Sequence, residues 1–304
     1  MLISCATCVL VVVIIIIIIR LLLVRSIRMC KCSVTMTGRL VIVTGGNAGI
    51  GYCTALELAR RGARVILACR NNKRGKAACD SIIAATGNKD VSYSDLDLSS
   101  LTSVRNFAMN IHNTESKLDV LVNNAGVNYF GHFLLTLLLL PLLKQSQSGR
   151  IVNLSSVMHF LGDINLENIN KIGQSNIKMI TYANSKLCSL IFSVELSRRL
   201  EGTRVTANAV HPGVIWTGIM WSETFKLQSA LFAMWCWVYN RTAEQGAQTV
   251  VHVCVSEECS RVSGKYFVDC AERVTLPKVR NEIVAKQLWD YSEKLVEFVY
   301  DDST

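Results

Sequence analysis

One octapeptide, Thr44-Gly45-Gly46-Asn47-Ala48-Gly49-Ile50-Gly51, restricts what this chain can fold into more than any other feature. It follows a short β-branched run, Leu40 to Val43, and precedes Tyr52 to Arg61, where Ala55, Leu56 and Ala59 recur with helical periodicity. The pattern predicts a strand, a glycine-rich turn and a helix. Arg64 to Cys69 supplies a second apolar strand at the spacing a βαβ unit requires, which predicts an α/β chain built on a parallel sheet.

Glycines at 45, 49 and 51 let the backbone turn tightly, approach a pyrophosphate and pack the helix on the sheet. The helix start offers free amides and a partial positive charge. At the end of the second strand, where an acidic residue would bind the ribose 2′-hydroxyl of NAD, stands Arg70, followed by Lys73 and Arg74. A cation there favours a 2′-phosphate, hence NADP(H) over NAD(H). Asp95-Leu96-Asp97-Leu98 is expected to end a third strand. Leu118 to Val122 begins a fourth, stopping at Asn123-Asn124-Ala125-Gly126, and Arg150 to Leu154 and Val205 to Val210 read as the fifth and sixth. In an open α/β sheet, ligands bind at the carboxyl ends of the strands, where these polar residues fall.

Residues 1–24 have another character. No charge occurs between Met1 and Ile19, and beyond Arg20 the apolar run resumes through Val24. That is roughly the 20 residues a bilayer core requires, so a transmembrane or signal-anchor segment is expected. A cleaved signal peptide fits less well, since no basic residue precedes the apolar core. Arg25, Arg28 and Lys31 mark residues 25–37 as a basic juxtamembrane linker, and the positive-inside tendency puts the remaining chain in the cytosol, at the endoplasmic reticulum or another intracellular membrane. The remaining 38–300 fit a single Rossmann-type, doubly wound domain.

The net charge of +9 is concentrated beside the apolar segment and otherwise scattered, without the basic-aromatic stripe of a nucleic-acid binder. Anionic lipid headgroups suit it better. The 12 cysteines are dispersed and form no paired CxxC clusters, so they read as small buried hydrophobes in a reducing compartment and no metal site is expected. Acylation of Cys30 or Cys32 is a weaker alternative.

Thr44-Gly45-x-x-x-Gly49-Ile50-Gly51, Asn123-Asn124-Ala125-Gly126 and Tyr182-x-x-x-Lys186 together resemble the short-chain dehydrogenase/reductase family. Val127-Asn128-Tyr129-Phe130-Gly131-His132-Phe133, Ile151 to Ser156, His211-Pro212-Gly213-Val214 and Ser263 to Phe267 look more narrowly like its retinol dehydrogenase group. The likeness runs from about residue 38 to 298. It implies a tetrad in which Tyr182 gives a proton to the carbonyl oxygen in reduction, Lys186 supports it, Ser156 holds the substrate oxygen and Asn128 maintains a proton relay. It also implies cofactor contacts from Gly45, Asn47, Gly49, Ile50, Gly51, Arg70, Asp97, Leu98, Asn124, Ala125, Tyr182, Lys186 and Thr217. Tyr182 and Lys186 stand at i and i+4 on one helix face, so the ammonium can favour the tyrosinate. Ser155 is expected to be structural, and His211 a loop residue rather than a catalyst. Between Met220 and Tyr239, Trp221, Phe225, Leu227, Leu231, Phe232, Met234, Trp235 and Trp237 read equally well as a substrate lid, core packing or a membrane-dipping helix.

One departure stands out. In the family a loop and the first helical turns separate Asn-Asn-Ala-Gly from Val-Asn-x-x-Gly-His, whereas here Gly126 and Val127 are adjacent. Residues 127–149 still exceed the dozen or so that a parallel crossover needs, so the sheet is expected to survive, with Asn128 moved to the very start of its helix.

The leading expectation is an NADP(H)-dependent oxidoreductase acting on a hydrophobic alcohol, retinol-like or another lipid, and its aldehyde or ketone. A second is a membrane-anchored nucleotide-binding protein, catalytically impaired by the missing segment. A third, a secreted enzyme, rests on the apolar N-terminus and the sequons at Asn153 and Asn240, of which Asn153, on a core strand, should stay bare. A homodimer is left open.

Overall fold

The computed structural model describes residues 2–126, 129–164, 178–215, 238 and 240–300. In chain order these form α1 (Leu2–Ser26), β1 (Leu40–Thr44), α2 (Gly49–Arg60), β2 (Arg64–Cys69), α3 (Asn72–Thr86), β3 (Val91–Asp95), α4 (Leu101–Thr114) and β4 (Val120–Asn123). Then come α5 (Tyr129–Lys144), β5 (Gly149–Leu154), α6 (Lys178–Arg199), β6 (Val205–His211), β7 (Val214–Ile215) and β8 (Asn240–Arg241). The chain continues through α7 (Ala243–Val255), β9 (Tyr266–Val268), β10 (Ala271–Arg273) and α8 (Glu282–Val296).

The main sheet runs β10-β9-β6-β5-β4-β1-β2-β3, parallel throughout except for β10, which lies antiparallel on β9. This is the Rossmann order, extended at one edge. The chain reverses direction of winding at β1, whose neighbours are β2 on one side and β4 on the other. A crevice opens at such a switch point, outside the strand ends.

Both faces of the sheet are covered, so its strands are almost continuously apolar. Alternation along β1 shows the division: Leu40 and Ile42 enter one core with Phe107 of α4, Phe133 of α5, Ile191 of α6 and Trp289 of α8. Val41 and Val43 enter the other with Leu58 of α2, Ile82 of α3 and Val250 of α7. Each fully buried side chain of this size contributes about 2 kcal/mol. Asp119 stitches the lower edge. Its buried carboxylate accepts hydrogen bonds from the Leu40 amide at 2.8 Å and the Ser146 hydroxyl at 2.6 Å, with the Lys117 ammonium at 3.2 Å.

The shortened crossover closes. β4 pairs with β5 from Val120↔Arg150 to Asn123↔Asn153, and α5 bridges them with most of its side chains buried. A Cβ on Gly131 would stand 2.2 Å from the Leu98 carbonyl oxygen, so a glycine is what lets α5 lie this close to the β3–α4 connection. Two expected boundaries move. β3 ends at Asp95, leaving Leu96 to Leu98 in the connection, and His211 closes β6 by pairing with Val268 instead of lying in a loop.

α1 is apolar along most of its length, with Leu10, Val11, Ile14, Ile15, Ile18, Leu21 and Leu22 exposed. Among the described residues, no helix is found to be long and apolar enough to cross a membrane. The side chains of 1–6, 8, 9 and 12 lie outside the description. The linker after α1 is fastened to the domain: Arg61 Nη1 donates to the Cys32 and Val34 carbonyls, and Met36 is buried.

Candidate active site

The glycine-rich turn leaves β1 through Gly45, at φ +64°, and enters α2 at Gly49, at φ +55°, both in the left-handed region where an L side chain is strained. Gly51 is required for a different reason. A Cβ there would lie 2.4 Å from both Asn124 Nδ2 and the Gly45 carbonyl oxygen. The absent side chain therefore seats the first turn of α2 directly on the end of β4. Asn124 completes the joint by donating from Nδ2 to the Thr44 carbonyl at 2.8 Å.

Thr44 is the hub. Its hydroxyl oxygen accepts the Asn124 amide at 2.9 Å and the Ala125 amide at 3.1 Å, and lies 3.0 Å from His132 Nε2. With both lone pairs engaged, its single proton is best directed at His132, the acceptor at the shorter distance than the Val122 carbonyl at 3.3 Å. Burial, with the Lys186 charge adding to it, pushes the His132 imidazole down to about 3, so the ring is neutral. His132 thus locks the β1 and β4 ends to α5, a role that the sequence motif alone did not reveal.

The N-terminus of α2 carries no cap of its own. Ala48 stands at the N-cap without a side-chain acceptor, whereas Asn71, Ser100, Thr242 and Asn281 cap α3, α4, α7 and α8. The leading amides of α2 are thus left for an anionic partner, in a turn where glycines hold the backbone open. This cradle fits a dinucleotide pyrophosphate. Asn47 and Ile50 line the same turn, and Arg70 is exposed at the end of β2 with Lys73 and Arg74 beyond it. Across from it Asp97 accepts from the Ser99 hydroxyl at 2.6 Å. That bond, the Ser99 amide and the Arg70 charge lower its carboxyl below the ordinary value.

The second half of the site grows from β5 and α6. Ser156 leaves β5 in extended conformation and starts a 3₁₀ turn over Val157–Leu161. Its hydroxyl lies close enough to that of Tyr182 on α6 to favour the tyrosine's ionisation. Burial raises the Tyr182 hydroxyl above its usual value, with Ser156 opposing, so the group is protonated at neutral pH. Four residues on, Lys186 is buried, donates to the Leu154 carbonyl at 3.0 Å and lies 5.5 Å from the centre of the Tyr182 ring. Burial pulls its ammonium down to about 8. Burial, and not the Lys186 charge, governs the Tyr182 shift in this structure. Ser155 turns the other way and donates to the Lys186 carbonyl at 2.9 Å, a structural contact as expected.

Beneath the site runs a buried polar ladder. Asn123 Nδ2 donates to Asn153 Oδ1 at 2.7 Å and to Thr136 Oγ1 at 2.9 Å, and Asn153 Nδ2 donates to Ser193 Oγ at 2.8 Å. Asn153, inside the sheet, is closed to glycosylation. Thus Gly45, Asn47, Gly49, Ile50, Gly51, Asn124 and Ala125 gather at one end of the switch-point crevice and Ser156, Tyr182 and Lys186 at β5 and α6 beside it. Asn128 and Thr217 lie outside the described residues, as do 220–237 and 239 of the aromatic segment.

Residues 39–227 match the short chain dehydrogenase family. The chain belongs to it. Within the short-chain dehydrogenases, it groups with the retinol dehydrogenases. It is 41% identical over 293 residues to retinol dehydrogenase 14 of Homo sapiens, covering 86% of this chain and 87% of that one. Among solved structures, it resembles an uncharacterized protein from Mycobacterium Paratuberculosis at TM-score 0.70 and 29% identity, covering 90% of this chain and 99% of that one. It also resembles a Pseudomonas aeruginosa RhlG/NADP active-site complex at TM-score 0.62 and 25% identity, over 77% and 95% of the two chains. As a short-chain dehydrogenase with this turn, the chain has the fold of a nicotinamide-dependent oxidoreductase.

Proposed function

We propose that this short-chain dehydrogenase interconverts a hydrophobic alcohol, retinol-like or another lipid, and its aldehyde or ketone, with NADP(H) preferred over NAD(H), at a membrane that α1 anchors it to. The observation that carries the reading is the Ser156–Tyr182 hydroxyl pair, with Lys186 buried one helical turn away.

In reduction, a substrate carbonyl oxygen placed between the two hydroxyls accepts hydrogen bonds from both. Tyr182 then passes its proton to that oxygen as negative charge develops, a general-acid role suited to a group that burial keeps protonated. Lys186 stabilises the tyrosinate left behind; its ammonium, charged below about 8, is aimed by the Leu154 carbonyl. In oxidation the same residues act in reverse. When bound, the nicotinamide supplies or accepts the hydride. Residues of the glycine turn would hold the pyrophosphate, and the Arg70 guanidinium would suit a 2′-phosphate.

Val157, Phe160 and Leu161 follow Ser156 in the chain, Met179 and Ile180 precede Tyr182, and all five expose apolar side chains. Such apolar surface favours a lipid-like substrate. Relatives named retinol dehydrogenases support the same class. A substrate partitioned in a bilayer also gives an apolar α1 and the basic Arg25, Arg28 and Lys31 a purpose, with the domain on the cytosolic side of an intracellular membrane.

The test is turnover of all-trans-retinal by the full chain in detergent, with NADPH and NADH compared. NADPH-dependent reduction that Tyr182→Phe abolishes while cofactor binding persists is the expected result. Retained turnover in that variant would remove Tyr182 from its role, and binding without turnover in the parent chain would restore the impaired nucleotide-binding alternative.

A further inference from the structure

Away from the crevice, the linker after α1 crosses α7 and brings two cysteines to a histidine more than two hundred residues distant. Cys32 Sγ lies 3.9 Å from His252 Nδ1, and the Cys30 and Cys32 sulfurs with a His252 ring nitrogen all fall within 4.8 Å of one another. Residues i and i+2 of an extended segment point to the same side, which is how Cys30 and Cys32 both face α7. The segment is held there by bonds that the cysteine side chains do not make. The Cys30 amide donates to Gln248 Oε1 at 3.1 Å, one turn before His252, and Arg61 Nη1 grips the Cys32 carbonyl at 2.6 Å. From the far side Cys270 Sγ donates to the Arg28 carbonyl at 3.7 Å.

We propose that Cys30, Cys32 and His252 bind a thiophilic d10 cation of the zinc class, with a fourth position open to solvent. Two thiolates and one imidazole form a soft donor set with no carboxylate among them, which excludes magnesium and calcium chemistry. The geometry is close to ready. Bonds of about 2.3 Å to sulfur and about 2.0 Å to nitrogen at a tetrahedral angle put the two donors about 3.5 Å apart, so Cys32 and His252 need to approach by only a few tenths of an ångström. Cys30 and Cys32 are partly exposed, which gives an ion access, while His252 is buried on a helix. The charge of two thiolates and a divalent ion cancels. The site staples the juxtamembrane linker to α7 and so fixes the distance between α1 and the sheet, a job that hydrogen bonds to a linker in water do weakly.

The experiment uses the full chain in detergent, purified under reducing, oxygen-free conditions. Metal content is measured directly, then the chain is stripped and titrated with cobalt(II), a spectroscopic stand-in for zinc. The expected result is about one zinc or copper ion per chain as purified, thiolate-to-cobalt charge-transfer bands and the visible bands of a tetrahedral site. Cys30→Ser, Cys32→Ser and His252→Gln should each weaken cobalt binding by more than the roughly 10- to 100-fold typical of an outer-shell partner. Cys53→Ser, on α2, should leave it unchanged. Metal should also slow tryptic cleavage after Arg28 and Lys31 several-fold. Overturning results are an absence of thiolate-to-cobalt bands in the fully reduced chain, bands that survive in all three variants, or a linker whose cleavage is indifferent to metal. Circular dichroism and NADPH binding by each variant separate loss of the site from loss of the fold.

Discussion

Lys186 directs its ammonium at the Leu154 carbonyl, 3.0 Å away at the last residue of β5, and does so from a buried position. The contact joins the helix that carries Tyr182 to the strand that delivers Ser156. It also keeps a charge where water is scarce, and burial accordingly lowers the Lys186 pKa from 10.5 to about 8. Activity and stability therefore pull in opposite directions at this residue.

Lys186→Met should lower kcat by at least about 100-fold while raising stability at neutral pH. The sign follows from linkage. Below about 8 both folded and unfolded chains carry the charge, and the folded one bears the full cost of burying it. Between about 8 and 10.5 the unfolded chain binds more protons, so the parent chain gains stability as pH rises and the advantage of the variant shrinks. Thermal unfolding of both proteins at pH 7 and pH 10 measures this; a variant less stable at pH 7 would show that the bond to Leu154 outweighs the desolvation.

Gly51→Ala places a methyl group 2.4 Å from Asn124 Nδ2 and the Gly45 carbonyl. The backbone cannot yield there without moving α2, so the variant should lose about 1–3 kcal/mol of stability and bind cofactor at least about tenfold more weakly. Gly49→Ala meets open space and incurs only the cost of its positive φ, about 1–2 kcal/mol. Denaturation and NADPH titration of the pair should rank Gly51→Ala as the more damaging for binding.

Thr44→Val keeps the shape of the hub and removes its hydroxyl. The Asn124 and Ala125 amides and His132 Nε2 lose their shared partner. Leaving such groups unsatisfied costs about 1–3 kcal/mol each where water cannot enter. Thr44→Ser should recover most of the loss in unfolding free energy, and a Val variant as stable as the parent would mean that the hydroxyl is dispensable.

Arg70→Ala tests the coenzyme reading. NADPH affinity should fall by about 10- to 100-fold, the worth of a charge-assisted phosphate contact, while NADH affinity stays within about twofold. Equal losses for the two coenzymes would make Arg70 a partner of Asp97 alone, and the Asp97 carboxyl, no longer held down in part by that charge, is the group to follow in parallel.

The strands, the glycine turn and the Tyr182–Lys186 spacing were legible because each is a local matter. Period-two and period-3.6 apolar patterns specify which face is buried, a positive φ asks for glycine wherever it occurs, and residues i and i+4 share a helix face whatever surrounds them. β2 was readable to the residue for this reason, whereas Ser156 was set apart from Ser155 by the family resemblance alone, and the structure adds that Ser155 donates to the Lys186 carbonyl. The end of β3 was less so, since Leu96 and Leu98 are buried in the connection and carry the same apolar signal as strand residues.

What the tertiary structure alone decided concerns pairs far apart in the chain. The sequence offered Thr44 and His132 as members of separate motifs, and only the packing of α5 on β1 put them 3.0 Å apart. It paired Lys186 with Tyr182 by spacing, and burial, which no spacing encodes, raises the Tyr182 hydroxyl. It gave twelve cysteines without a metal-binding rhythm. The fold then set Cys32 against His252, 220 positions away. Local pattern determines the elements because it acts through neighbouring backbone and one buried face; the chemistry of a site depends on distance and dielectric, and those exist only once the elements have packed.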